Sequence, residues 1–542
     1  MKKFILLPVL SLCLASGGKL LAQSNSADNN PVTVKTGTAA MAVGSGTIIT
    51  VSGAMTVDPG GKITVNTGGA MTVESSLTNN ASPTGLIIES GGSLITKGSV
   101  SGYATIKREI AGNLGWHLVS SPVSYQLICN GTFAPLPGNF STTPSNTYDF
   151  YKYQPLSGAA CGSNLWLNLR NTDLTPNTTD FGTPPSFNPK SGYLVAYNGD
   201  FPSTKIFTGT PNTGDQTFPL IDLASFCPWN LLGNPYPSAV DWDQVTGKSN
   251  LVNGYYYIYN ENKSGGPGYE SYLDATHKTP GANGKIPPMQ GFFVKASGAS
   301  LSIPNSARTH QADNFLKSTN NVADGITLRI SNDSNFDESY ILFETKSKTG
   351  TDWFDASKML SLSKEMPQIY TIAGNDQKAQ INSMPPVSDP VTIPVGIVAP
   401  VDGQYSIRVS GMENVVSLTG LSLEDMKMKY TQDLLQNPVY TFTASGNEDA
   451  GRFLLLFNGA SGSTNDNSPI RIYSSGKTIN IFCASGLQQG QVTVSNMLGQ
   501  LILAQQLTDQ SLNQVQADVL NGYYIVKVQS VNTVKTAKVY IQ

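Results

Sequence analysis

The chain has 542 residues, room for roughly three or four domains at about 150 residues each. Its composition is 39% hydrophobic, 9% aromatic and only 13% charged, which excludes a disordered chain and fits a folded one dressed with Ser, Thr and Asn. The net charge of −3 falls to −6 once the leader lysines Lys2, Lys3 and Lys19 are removed, so no basic surface for nucleic acid is expected.

Residues 1–22, "MKKFILLPVLSLCLASGGKLLA", place two lysines before an apolar run and Ala22 before Gln23, the pattern of a secretory signal peptide. Leu12 is too large for lipoprotein cleavage at Cys13. No later apolar stretch is long enough for a transmembrane segment. The expected product is an exported, soluble protein. Four cysteines follow the leader, Cys129, Cys161, Cys227 and Cys483, without metal-ligand spacing. Export permits disulfides, with Cys129–Cys161 the expected pair and buried thiols the alternative.

A polar lead-in occupies 23–40. The string Gly-Ala-Met-Thr-Val then occurs at 53–57 and 69–73, a step of sixteen, with "GGSLIT" echoing it at 91–96. Short strands with Gly-rich corners predict a β-solenoid-like repeat over 41–104, with a run of hairpins as the alternative. Residues 105–321 read as a duplicated all-β unit. "GWHLVSSPVS" and "PWNLLGNPYPS" share Trp-x-Leu-x-x-x-Pro at a step of 113, and two further pairs follow in the same order: "YDFYKY" with "YYYIYN", and "PKSGYLVAYN" with "PPMQGFFVKA". Trp116 and Trp229 are expected to anchor equivalent cores. Alternating strands from 322 to 458 predict a β-sandwich, including a strand at Met426–Tyr430. A small, polar linker at 459–468 precedes about seven short strands over 469–542, an immunoglobulin-like β-sandwich. Tyr524, Val526 and Val528 share one face there, as do Ala537, Val539 and Ile541. The fold class expected throughout is all-β.

The residues offer little chemistry. His117, His277 and His310 form no H-E-x-x-H, and no G-x-S-x-G elbow occurs. His117 lies near Ser120 and Ser121 but reads as an outward strand residue. Asp241 and Asp243 have the spacing of a glycosidase pair, yet neighbours of this kind more often cap a turn. Asp333, Asp337 and Glu338 could chelate calcium, although the EF-hand order is absent and a solvated loop is preferred. Tyr255, Tyr257 and Tyr259 alternate along a strand. Exposed, they could stack on sugar rings as a ligand face; the alternative is a half-buried sheet. No catalytic residue, cofactor or metal is expected.

The segment from Pro469 to Gln542 resembles the type A C-terminal sorting domain of type IX (Por) secretion cargo. Gly499 and Gln500 match its turn; Leu520, Gly522, Tyr524 and Val526 match its middle, with one gap shortened by a residue; Lys538 matches its closing lysine. The strings "GNPYPSAVDWD", "QGFFVKA" and "RFLLLFN" resemble a recurrent ectodomain of the same secreted proteins, which names no activity. The resemblance implies recognition by the outer-membrane translocon, removal of the domain by a sortase, and attachment of some cargo to surface lipopolysaccharide. The function expected is a non-catalytic surface protein, structural or adhesive. The alternatives are a carbohydrate- or protein-binding module and, behind it, a hydrolase.

Overall fold

The computed structural model describes residues 32–34, 40–110, 115–128, 149–155, 165–169, 177–197, 203–222, 227–310, 325–374, 377–387, 390–415, 418–444, 446, 452–458, 470–475, 477–483, 490–508, 512–520, 522–530 and 533–541. The leader, the lead-in before residue 32, Cys129, Cys161 and the linker at 459–468 lie outside them. Two compact units result: 1–261 with 270–275 and 282–316, and 262–269 with 276–281 and 317–542. Both are built almost wholly of strands.

The first unit opens as a three-sided parallel solenoid. Val32 pairs with Met55, Met55 with Leu77, and Leu77 with Val100 on one side. Met41, Ile63 and Leu86 stack on the second side, and Ile48, Ala70 and Ser93 on the third. The register therefore advances by 22 or 23 residues per coil. This corrects the step of sixteen: the two Gly-Ala-Met-Thr-Val strings serve different sides, and sixteen residues span two strand spacings instead of one coil. Val57, Ile63, Val65, Met71, Val73 and Leu86 point inward and are buried. Such residues remove about 1.5–3 kcal/mol each of apolar exposure, enough to order short strands that lack stability alone.

A parallel stack leaves its final coil with unpaired backbone groups. Strand 104–109 continues the second side and then pairs antiparallel with strand 204–209, closing it. On the third side Leu94 N–H donates to the Pro237 carbonyl. Buried Arg308 donates to the carbonyls of Leu94 (2.9 Å) and Thr96 (2.8 Å). Its guanidinium also lies 4.7 Å from the centre of the Tyr236 ring.

The two repeats have one topology. The first sheet runs 117–119, 193–195, 150–153, 166–168, and the second 229–233, 291–295, 256–260, 268–272. In sequence order both read first, fourth, second, third. The tryptophans are not the core anchors expected: Trp116 and Trp229 are half-buried, and the fully buried one is Trp242, whose Nε1 donates to the Gly254 carbonyl. Cys227 is disulfide-bonded, a bond the sequence left unassigned.

In the second unit, residues 325–457 form one sheet of eleven strands, not the sandwich expected. Its path begins at strand 430–433 and ends at strand 439–444, neighbours in sequence, so the sheet curls into a nearly closed barrel. Side chains stand in for the missing pairing at the seam: Gln432 Nε2 donates to the carbonyls of Asn437 and Val439, and Arg452 Nη1 to that of Thr443. Arg452 is itself held by Asp425, Nη2 to Oδ2 at 2.6 Å, with both side chains buried. The strand expected at Met426–Tyr430 is a turn between strands 421–425 and 430–433. Asp425 Oδ1 accepts the N–H groups of Lys427 and Met428, and Lys429 adopts φ +52°, so the alternation there is incidental.

In the first unit, His310 is a buried group that titrates on acidification. Its imidazole bonds to Thr72 Oγ1 (2.7 Å) and Ser93 Oγ (2.8 Å) on the solenoid. Burial, then the charge of Arg308, lowers its pKa from 6.5 to about 4. The folded state therefore binds fewer protons than the unfolded chain between those values, and its stability falls as pH drops through that window. Four of the five tryptophans (Trp116, Trp166, Trp229 and Trp242) report on this unit. Burial raises the pKa of the Asp149 carboxyl to about 6, which acts in the opposite sense, so the variant comparison isolates the histidine. In urea unfolding followed by tryptophan fluorescence, His310→Gln should lose less midpoint than the unaltered chain between pH 7 and pH 5. Equal losses in the two proteins would remove His310 as the sensor.

Candidate recognition site on the C-terminal sandwich

Seven strands make this domain: 470–475, 478–483 and 512–516 in one sheet, and 501–506, 490–496, 522–530 and 533–541 in the other. Val492, Val494, Val526, Val528 and Ile541 fill the space between the layers and are 0% exposed. This is the two-layer arrangement of immunoglobulin-like sandwiches. Register places the matched residues together: Asn496 pairs with Tyr524, and Gly522 with Ile541. The turn at 497–500, the corner at 520–524 and the end of strand 533–541 thus meet at one end of the four-stranded sheet.

Several matched residues there build the fold. Tyr524 is buried at the start of the sixth strand, and its hydroxyl donates to the Leu520 carbonyl at 2.7 Å. That is the tyrosine corner of such sandwiches. Val526 is core. Gly499, at φ +82°, supplies the left-handed residue that the turn requires. Asn496, which the sequence reading did not single out, shapes the turn: its Oδ1 accepts from the N–H groups of Leu498 and Gln500, and its Nδ2 donates to Gln500 Oε1 at 2.7 Å. An Asn ahead of a Gly-containing turn is the signal that would have found it.

Other side chains at this end face outward. Leu498 is 87% exposed and Leu520 86%, and Met497, Leu501, Ile502 and Tyr523 are exposed as well. Lys538 is exposed with Nζ 4.1 Å from the centre of the Tyr523 ring, a cation–π contact that fixes the amine on the sheet's outer face. Apolar residues grouped at one end of a small domain mark an interaction surface.

The remaining candidates are structural. Tyr255, Tyr257 and Tyr259 are almost fully buried, 0%, 0% and 3% exposed, and so present no ring face to a sugar. Every residue of strand 256–260 is buried, because this sheet is covered on both sides. Ser120 and Ser121 are 0% exposed and donate to the carbonyls of Asn234 and Val123, away from any nucleophilic arrangement with His117. Asp241 caps the short helix 242–244 through Asp243 N–H and pairs with Lys285 at 2.7 Å. Asp243 accepts from the Tyr272 hydroxyl. His277 is buried, paired with Glu344 and stacked on Phe354. Asp337 and Glu338 lie in strand 336–343, paired with Lys358 and Arg329, while Asp333 sits in the preceding turn. Among the described residues no group of three or more His, Cys, Asp or Glu could hold a metal ion, and no helix is long and apolar enough to cross a membrane.

Residues 475–542 match the secretion system C-terminal sorting domain, and the protein is type IX secretion cargo, exported to the cell surface. Residues 24–457 match the domain of unknown function DUF8693, and the chain belongs to that family. No curated protein matches it. Among solved structures it is similar to the BSP domain of a biofilm associated protein, at 8% identity and a TM-score of 0.14, covering 81% of this chain and 96% of that one. It is also similar to a Salmonella alpha-2-macroglobulin reacted with methylamine, at 10% identity and a TM-score of 0.10, covering 81% and 33%. At such TM-scores neither likeness carries an argument.

Residues that build the fold and residues that face outward separate here. Tyr524→Phe should cost about 1 kcal/mol through loss of the corner bond. The pair Leu498→Ser and Leu520→Ser should change stability by less than about 0.5 kcal/mol yet lower surface display. Chemical denaturation and surface labelling of the same variants measure the two effects; full display of the double serine variant would exclude this end as the recognised one.

Proposed function

We propose that the protein is a non-catalytic structural or adhesive component of the cell surface, with the C-terminal sandwich as its export address. A sortase removes the sandwich, and the ectodomain is then released or joined to surface lipopolysaccharide. One observation carries this reading: the strings that mark the ectodomain are spent on holding it together. Residues 231–240, within and just before "GNPYPSAVDWD", are all buried. Asn234 Nδ2 donates to the carbonyls of Ser238, Ile286 and Pro287, and Gln290 Nε2 to that of Leu118. Arg452 of "RFLLLFN" closes the barrel seam, and Asn458 Oδ1 accepts from Thr419 and Gly420 N–H groups. A catalytic site needs convergent ionisable groups facing a cleft, whereas His277, His310, Asp241, Asp243, Asp337 and Glu338 are each engaged by neighbours within the fold.

A carbohydrate- or protein-binding role is the second reading. It is favoured by a cavity of about 600 Å³ in the first unit, lined by Lys152, Tyr153, Asp180, Lys190, Phe218 and Leu231 among others. An aromatic wall beside charged groups is the usual make-up of a ligand site. Glycan-array binding that is lost in Tyr153→Ala would favour it over a purely structural role.

Deletion of 469–542 tests the address. The truncated chain should accumulate in the periplasm while the full chain reaches the surface, as read by fractionation and surface proteolysis. Normal display of the truncation would refute the assignment.

A further inference from the structure

The barrel of the second unit gathers two lysines around one carboxyl group. Asp337, in strand 336–343, has a side chain 6% exposed. Lys358 follows the short strand 356–357; its side chain is 2% exposed and its Nζ lies 2.5 Å from Asp337 Oδ2. The same oxygen accepts the Ile369 N–H at 2.9 Å. Lys263 Nζ, also buried, stands 3.7 Å from Oδ1. Two ammonium ions beside one carboxylate would leave a net positive charge in a desolvated site, which is unfavourable. Burial lowers the pKa of Lys358; the charges of Asp337 and Glu338 oppose this and that of Lys263 adds to it. In its neutral form, which burial favours, Lys358 is an amine nucleophile held 2.5 Å from a carboxyl oxygen.

We propose that Lys358 and Asp337 condense into an intramolecular amide, a cross-link between strand 336–343 and the segment after strand 356–357. The Lys358 Nζ lone pair forms a bond to Asp337 Cγ, and the Ile369 N–H holds Oδ2 as negative charge collects on it. The Cγ–Oδ1 bond then breaks. Oδ1 leaves as water, taking one proton from Lys358 Nζ and one from the Lys263 ammonium. Lys358 is left as an amide N–H and Lys263 as a neutral amine. No oxidant or cofactor is required. Fixed placement of two reacting groups is worth effective concentrations on the order of 10⁵ M or more, and burial withholds the water that solvates exposed pairs. Lys477 and Asp518 provide the contrast within the same chain: their contact is 2.7 Å, but their side chains are 52% and 95% exposed.

Tryptic mapping of the purified full chain is the test, since Lys346 and Lys348 separate the two residues in sequence. The expected product is a branched peptide joining the Asp337 and Lys358 segments, lighter than their sum by one water. Trypsin should leave the bond after Lys358 uncut, and Lys477 and Asp518 should appear only in unlinked peptides. Lys358→Arg keeps the ion pair but cannot condense, and should give linear peptides only. Asp337→Asn should give the same branch with loss of ammonia instead. Recovery of Asp337 and Lys358 solely in linear peptides, or of the branch in Lys358→Arg, would overturn the proposal.

Discussion

Unpaired strand edges are the constraint on which this architecture turns. A protein made almost wholly of sheets carries rows of backbone donors and acceptors at every edge, and each row must be paired, covered or left to water. The solenoid's final coil is covered by strand 204–209, by the Pro237 carbonyl and by Arg308. The barrel brings its own edges together and fills the seam with Gln432 and Arg452. In the C-terminal sandwich, strand 501–506 pairs on one side only, with 490–496, and five of its six residues are exposed. Among the described strands the sorting domain thus keeps a long edge of its sheet open, the geometry that strand addition by a partner requires.

The same constraint explains why the ectodomain's marker strings say so little about chemistry. Asn234, Gln290, Arg308 and Arg452 each satisfy backbone carbonyls deep in the fold. Removing one partner leaves a buried polar group unmatched, which costs about 1–3 kcal/mol. Residues of this sort serve the architecture. In the sorting domain, by contrast, the matched residues divide: Tyr524, Val526 and Gly499 shape the module, while Leu520, Gln500 and Lys538 reach solvent.

Period-two alternation made the strands around Val526 and Val539 legible from sequence, because each has one buried and one open face. The duplication was legible because both copies use the same strand order around equivalent Leu and Pro positions. The solenoid's coil length was not, since each coil has three short sides and similar strings fall on different ones. The barrel was not distinguishable from a sandwich, because alternation records which side of a strand is buried and not whether the sheet closes. The tyrosine row failed for a related reason: Tyr255, Tyr257 and Tyr259 alternate, yet the sheet is covered on both faces. At this end of the sandwich, Gly499 and Tyr524 were legible through their matched positions. Asn496 carried a turn signal, but its place beside the corner, and that of the exposed Leu498, was not legible, because only the pairing of Asn496 with Tyr524 brings them there.

Amide hydrogen exchange on the intact protein tests the edge account most directly. Residues 93–96, covered by Pro237 and Arg308, should exchange slowly, as buried core strand 522–530 does. The outward amides of 501–506 should exchange orders of magnitude faster while their neighbours in 490–496 stay protected. Equal protection of 501–506 and 522–530, or rapid exchange throughout 93–96, would contradict the claim that the solenoid's third side is sealed and the sorting domain's edge is open.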